Sequence, residues 1–88
     1  MYTTSADWTF NTVPDFSEQQ AIFTANMKAA GAIHWYYVLT SKTTARSMVI
    51  WPDQATAHAS LKMVRDDAAA ANNQVITSVC EGDIVAGF

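Results

Sequence analysis

The chain has little charge and almost no cysteine. Only 15% of its 88 residues are charged, against ~25% for a typical soluble domain. Its five Lys and Arg form no cluster and the net charge is -3. The basic footprint of nucleic-acid or anionic-membrane binding is therefore missing. A single cysteine, Cys80, excludes an intramolecular disulfide, and no Cys/His set has zinc spacing. No apolar run approaches the ~18 residues that a membrane-spanning helix needs. Met1-Tyr2-Thr3-Thr4-Ser5 lacks the basic-then-apolar order of a signal peptide. The expected location is the cytoplasm. Nothing resembles a phosphate loop, a catalytic triad or a metal site, and no cofactor is expected.

Large apolar side chains fill the space that charge leaves. Half the residues are hydrophobic, with three Trp, three Tyr and four Phe. A chain of this length forms one domain, residues 1–88, and buries only ~60–65% of its unfolded surface. One copy cannot hide all of these rings, so self-association is the simplest remedy.

The local patterns follow in order. From Tyr2 to Phe10 the chain alternates, with Tyr2, Thr4, Ala6, Trp8 and Phe10 on one face. That is a half-buried strand ended by Pro14. Asp15-Phe16-Ser17-Glu18 has the form of a capping box. Phe16, Phe23, Met27 and Ala30, with Ile22 alongside, make an apolar stripe, and Gly31 suits a left-handed terminus. A helix over residues 16–30 is expected. A second helix starts at Pro52-Asp53, with Ala57, Leu61, Val64, Ala68 and Ala71 as its stripe and Gln54, His58, Lys62, Arg65 and Asp66 on its solvated side. Asn72-Asn73 stops it. A last strand over 74–80 follows. Gly82, between two acids, suggests a bulge, and the apolar tail 84–88 calls for pairing on its own sheet or on a partner's edge.

Between the helices lies the hairpin on which the chain is organised, Ile33–Thr40 and Ala45–Trp51. Its first strand is apolar or aromatic on both faces. A three-residue loop puts Trp35 and Tyr37 on the face of Ser47, Val49 and Trp51. A two- or four-residue loop puts His34, Tyr36 and Val38 there, because a one-residue slip exchanges the faces. No Asn-Gly or Asp-Gly decides between them. The four-residue loop is preferred, and the register stays open.

The order is β-α-β-β-α-β. It predicts an α+β, ferredoxin-like domain: a four-stranded antiparallel sheet with two helices on one face. The order and several local motifs resemble the dimeric α/β-barrel proteins that include antibiotic biosynthesis monooxygenase-like domains. Met48-Val49-Ile50-Trp51-Pro52-Asp53-Gln54-Ala55 is similar to their third strand, which ends in Trp and runs into an Ala-rich helix. Glu81-Gly82-Asp83-Ile84-Val85 is similar to their last strand, and Gly31-Ala32-Ile33 to the opening of their second. The resemblance implies a homodimer in which two sheets face each other and close a dimeric α/β barrel. Monooxygenase members carry Asn four positions before the Trp, and here that position is Ser47. Their helical His has only His58 as a counterpart, on the solvated side.

The candidate ligand-binding residues are Trp51, Tyr36, His34, Ser47 and Trp35, which could line a pocket for a flat apolar molecule. Each has a plainer reading: the aromatics as dimer core, His34 as a strand residue at an edge or interface. No catalytic residue can be assigned. Cys80 reads as a buried inert thiol, Asp7 as solvated, and Asp66-Asp67 as a solvated charge cluster. The expected protein is a homodimer binding a small apolar or aromatic molecule inside the barrel. One alternative is a cofactor-independent monooxygenase-like enzyme on an aromatic polyketide-like substrate. A second is a dimerisation or regulatory module without catalysis. The absence of any cavity above ~100 Å³, against the usual ~300–1,000 Å³ of ligand sites, would sink both the ligand and the enzyme readings.

Overall fold

Alternation along the first strand becomes alternation of burial. Tyr2, Thr4, Ala6 and Trp8 are buried and the residues between them only half so, along β1 (Tyr2–Thr9). The structure is a computed structural model that describes residues 1–13 and 15–88, and the side chains of all of these except 71 and 72. The roles expected of Pro14 and of the Ala71 and Asn72 side chains lie outside the described residues.

Helix α1 (Phe16–Ala29) starts because the Asp15 carboxylate accepts from the Ser17 N–H at 2.9 Å and from the Ser17 hydroxyl at 2.6 Å. It stops at Gly31, whose φ of +92° is open to glycine at little steric cost. Met27 is buried, and Phe16, Phe23 and Ala30 are half-buried, as the stripe requires. Ile22 departs from expectation and is 62% exposed. It precedes Phe23 by one residue, a rotation of ~100° that turns it away from the sheet.

Strands β2 (His34–Leu39) and β3 (Thr44–Trp51) form the hairpin. The preferred four-residue loop is wrong. Thr40 faces Thr44 across a three-residue turn, residues 41–43, with the Thr40 N–H donating to the Thr44 carbonyl at 3.0 Å. Hydroxyls take the place of a glycine turn. The Ser41 Oγ accepts from the Thr43 N–H at 3.1 Å, and the Thr40 and Ser41 hydroxyls each lie 2.7 Å from the Thr44 Oγ1. The pairs are then Trp35 with Val49 and Tyr37 with Ser47.

Helix α2 (Gln54–Asn72) is capped by Asp53, which accepts from the Thr56 N–H at 2.7 Å. It ends at Asn73 in the left-handed conformation, with φ of 51°. Strand β4 (Val75–Asp83) pairs with β1, and the sheet order is β2-β3-β1-β4, all antiparallel. Met27 from α1 and Ala57 from α2 pack with Tyr2, Val49 and Trp51, so both helices lie on one face of the sheet. This is the ferredoxin-like arrangement. Gly82 is not the bulge. It stays in the ladder opposite Thr3, and the irregularity falls where Asp7 pairs with Ser78 but Trp8 with Ile76. The hydroxyls of Thr77 and Ser78 both donate to Asp7 there and hold the extra residue.

A Cβ at residue 31 would sit 2.8 Å from the Thr56 Cγ2, in a left-handed backbone that side chains rarely adopt. Gly31→Ala is expected to destabilise the protein by about 1–3 kcal/mol, read as a lower urea midpoint with unchanged slope.

Candidate functional site

The register selects which side chains the helices cover. Trp8 from β1, Trp35 and Tyr37 from β2, and Ser47 and Val49 from β3 form the floor of a chamber between sheet and helices. Phe16, Phe23 and Met27 from α1, with Leu61, Val64 and Arg65 from α2, form its roof. The enclosed space is about 40 Å³. That is room for a water or two, below the size of ordinary ligand sites.

The polar atoms on the wall mostly serve one another. The Trp8 Nε1 donates to the Ser47 Oγ at 2.9 Å, and the Trp35 Nε1 to the Thr24 Oγ1 at 3.1 Å. The Tyr37 hydroxyl donates to the Gln74 side-chain oxygen, and the Gln74 amide nitrogen donates to the Ala68 carbonyl at 3.3 Å. Burial pushes the Tyr37 phenol up to about 12, with the Gln74 contact working the other way. Tyr37 is therefore a neutral donor across the physiological range. Among the described residues, Arg65 is the one charged residue on this wall. Partial burial lowers its pKa, an effect opposed by the field of Glu81. One guanidinium nitrogen donates to the Ser5 carbonyl at 3.4 Å.

Two further polar clusters lie outside the chamber. At the far end of the sheet the His58 Nε2 meets the Glu81 Oε1 at 3.0 Å, and the Tyr2 ring stands edge-on to His58 at 5.9 Å. The bond from His58 holds the Glu81 carboxyl below its ordinary pKa. On the sheet face without helices, Asp7 accepts from the Arg46 Nε at 2.8 Å and from the Ser78 hydroxyl at 2.6 Å. Asp7 is thus paired and not merely solvated. Asp66 pairs with Lys62 at 2.6 Å on the exposed side of α2.

The five candidate residues do not form one site. Trp35 and Ser47 line the chamber. Trp51 has no exposed surface, donates to the Thr4 Oγ1 at 2.9 Å and belongs to the core beside the chamber. His34 and Tyr36 lie on the opposite, open face, their rings 6.3 Å apart and inclined by 28°. Cys80 is exposed, not buried, because it shares that open face and sits on an edge strand. The sequence reading missed Arg65 and Gln74, and treated Trp8 only as a strand residue. A long cation on a helix gives no sign of which way it leans. Among the described residues no group of His, Cys, Asp or Glu could hold a metal ion. Among them, too, no helix is long and apolar enough to cross a membrane.

The four-stranded sheet, its order and its two helices on one face settle the architecture. The fold is ferredoxin-like. It is similar to a dimeric ferredoxin-like protein from an uncultured marine organism, at 10% identity over 100% of this chain and 98% of that one, with a TM-score of 0.64. It is also similar to a candidate antibiotic biosynthesis monooxygenase from Deinococcus radiodurans, at 11% identity, 100% and 96% coverage and a TM-score of 0.63. A protein of unknown function from Nitrosomonas europaea aligns at 17% identity over 100% and 94% of the two chains, with a TM-score of 0.53. No family model and no curated protein matches the sequence.

Replacing Trp51 by Phe removes the donor to the buried Thr4 hydroxyl and leaves a void. A loss of about 1–3 kcal/mol by urea unfolding is expected, with the chamber wall unchanged. Acid should also weaken the fold. Hydrogen bonds from Arg46, Ser17, Thr56 and His58 hold Asp7, Asp15, Asp53 and Glu81 below their ordinary pKa. Depressed carboxylates stabilise the folded state above their unfolded pKa of ~4, and this is lost as pH falls through their folded values. Melting temperatures measured between neutral and strongly acid pH should fall below ~pH 4, less steeply in Asp7→Asn.

Proposed function

We propose that the protein works as a homodimer joined through the sheet face that carries no helices, as a binding or regulatory module. One observation carries this reading: Tyr36, Val38 and Met48, exposed by 53%, 49% and 41%, form an apolar patch on that face. Ile50 and Cys80 extend it. The only ion pair on the face, among the described residues, is Arg46 with Asp7, and Ser78 also binds Asp7. A partner sheet can cover that pair without leaving a lone buried charge. Burial of ~800 Å² per copy would be ordinary for such an interface. The name of the marine protein, which is called dimeric, agrees with it. The tail after β4 adds support: Ile84 bonds to the Met1 carbonyl, while Val85 and Phe88 remain exposed and suit a partner's edge.

At about 40 Å³ the chamber is too small for an apolar or aromatic ligand as it stands, so a ligand there requires its wall to move. A module without catalysis is favoured over the monooxygenase-like alternative by the chamber's chemistry. Its indoles, phenol and amide are bonded to one another or to neighbouring groups, and Trp51 stands outside its wall.

Light scattering at micromolar concentration should give twice the chain mass of 9.6 kDa. Val38→Asp with Met48→Asp should return the mass to that of one chain while far-UV circular dichroism is kept. A wild-type protein that scatters as a single chain refutes the dimer.

A further inference from the structure

Leu61 and Arg65, one turn apart on α2, line two spaces at once. They belong to the wall of the inner chamber, and they also line an open groove of about 340 Å³ beside β4. Among the described residues no other is shared between the two. The groove is completed by His58, Lys62, Asp66 and Ile76.

Among the described residues, the titratable side chains of the groove are bonded in pairs, apart from Arg65. His58 is bonded to Glu81 and Lys62 to Asp66. Arg65 has no carboxylate within ion-pair distance among the described residues, and of its five N–H donors one is engaged, at 3.4 Å. The guanidinium is partly desolvated, feels Glu81 only through its field, and is a planar fork shaped for bidentate contact with a carboxylate. The free donors of that fork suit a monoanionic carboxylate. A phosphate dianion would meet the Asp66 and Glu81 carboxylates nearby.

We propose that the groove and chamber together form a binding site for a small aromatic carboxylate. Its acid group is held by Arg65 in the groove. Its ring lies against Leu61 and Ile76, and movement of the Leu61 side chain admits it toward the aromatic wall at Trp8 and Trp35. The site lies within one subunit, on the helix side of the sheet, so it does not depend on the dimer.

The probe is 1-naphthoate, titrated against the fluorescence of the tryptophans and compared with neutral 1-naphthamide. Wild type should show saturable quenching with the acid and bind the amide at least ~10-fold more weakly. Arg65→Gln should weaken the acid at least ~10-fold and leave the amide within ~2-fold. Arg65→Lys keeps the charge but not the fork, and should fall between. Leu61→Ala should strengthen both ligands by opening the passage. If Arg65→Gln loses its circular dichroism, the lysine variant and the acid-to-amide ratio in wild type decide. Absence of saturable quenching by naphthoate up to millimolar concentration, or equal affinity for acid and amide, overturns the proposal. So does an Arg65→Lys affinity equal to that of wild type.

Discussion

Thr40 and Thr44 face each other across three residues, and side chains on a strand alternate strictly. That single pairing therefore decides which half of the hairpin looks at the helices. A loop one residue longer would send His34, Tyr36 and Val38 under the helices and put Trp35 and Tyr37 outside. The hydroxyls of Thr40, Ser41 and Thr44 make the shorter loop stable without glycine. Everything that follows about the chamber and the open face depends on them.

With the register set, the tryptophans become the joints of the fold. Each of the three indoles donates to a Ser or Thr hydroxyl on another element: Trp8 to Ser47, Trp35 to Thr24 and Trp51 to Thr4. An indole is large and apolar but carries one N–H that needs a partner when buried. Small hydroxyl residues opposite the rings supply it at no cost in volume. Ser47 is an instance. It stands where the resemblance would have placed an Asn, and in this chain its hydroxyl closes a structural bond.

Period and capping made the architecture legible. The alternation of Tyr2–Phe10, the Asp15 cap, Gly31 and the Asn73 stop all correspond to local physics that a sequence displays. The register, the bulge at Thr77–Ser78 and the fate of Cys80 were not legible: the first rests on loop hydroxyls with no glycine signature, the second on hydroxyl bonds to the distant Asp7, the third on which strand lies at the sheet's edge. The candidate site was half legible. Aromatic residues announce a lined cavity, but only the pairing tells whether Trp35 or Tyr36 faces it. Arg65 reads as one more solvated helix charge until Ser5 and the chamber are seen beside it.

The two faces of this sheet carry opposite chemical demands. The open face offers apolar side chains around an ion pair that is already neutral, so what it lacks is cover, and a second identical sheet can give that. The helix face is covered, and most polar groups of the chamber wall are matched, whereas Arg65 keeps free donors. What it lacks is an acceptor for the free N–H donors of Arg65 at the junction of chamber and groove. A second copy of the chain, docked on the open face, answers the first demand and leaves the second, which lies on the other side of the sheet. A small anion answers the second and is too small for the first. The residues that sequence reading grouped into one site therefore divide between the two faces, His34 and Tyr36 with the interface, Trp35 and Ser47 with the chamber.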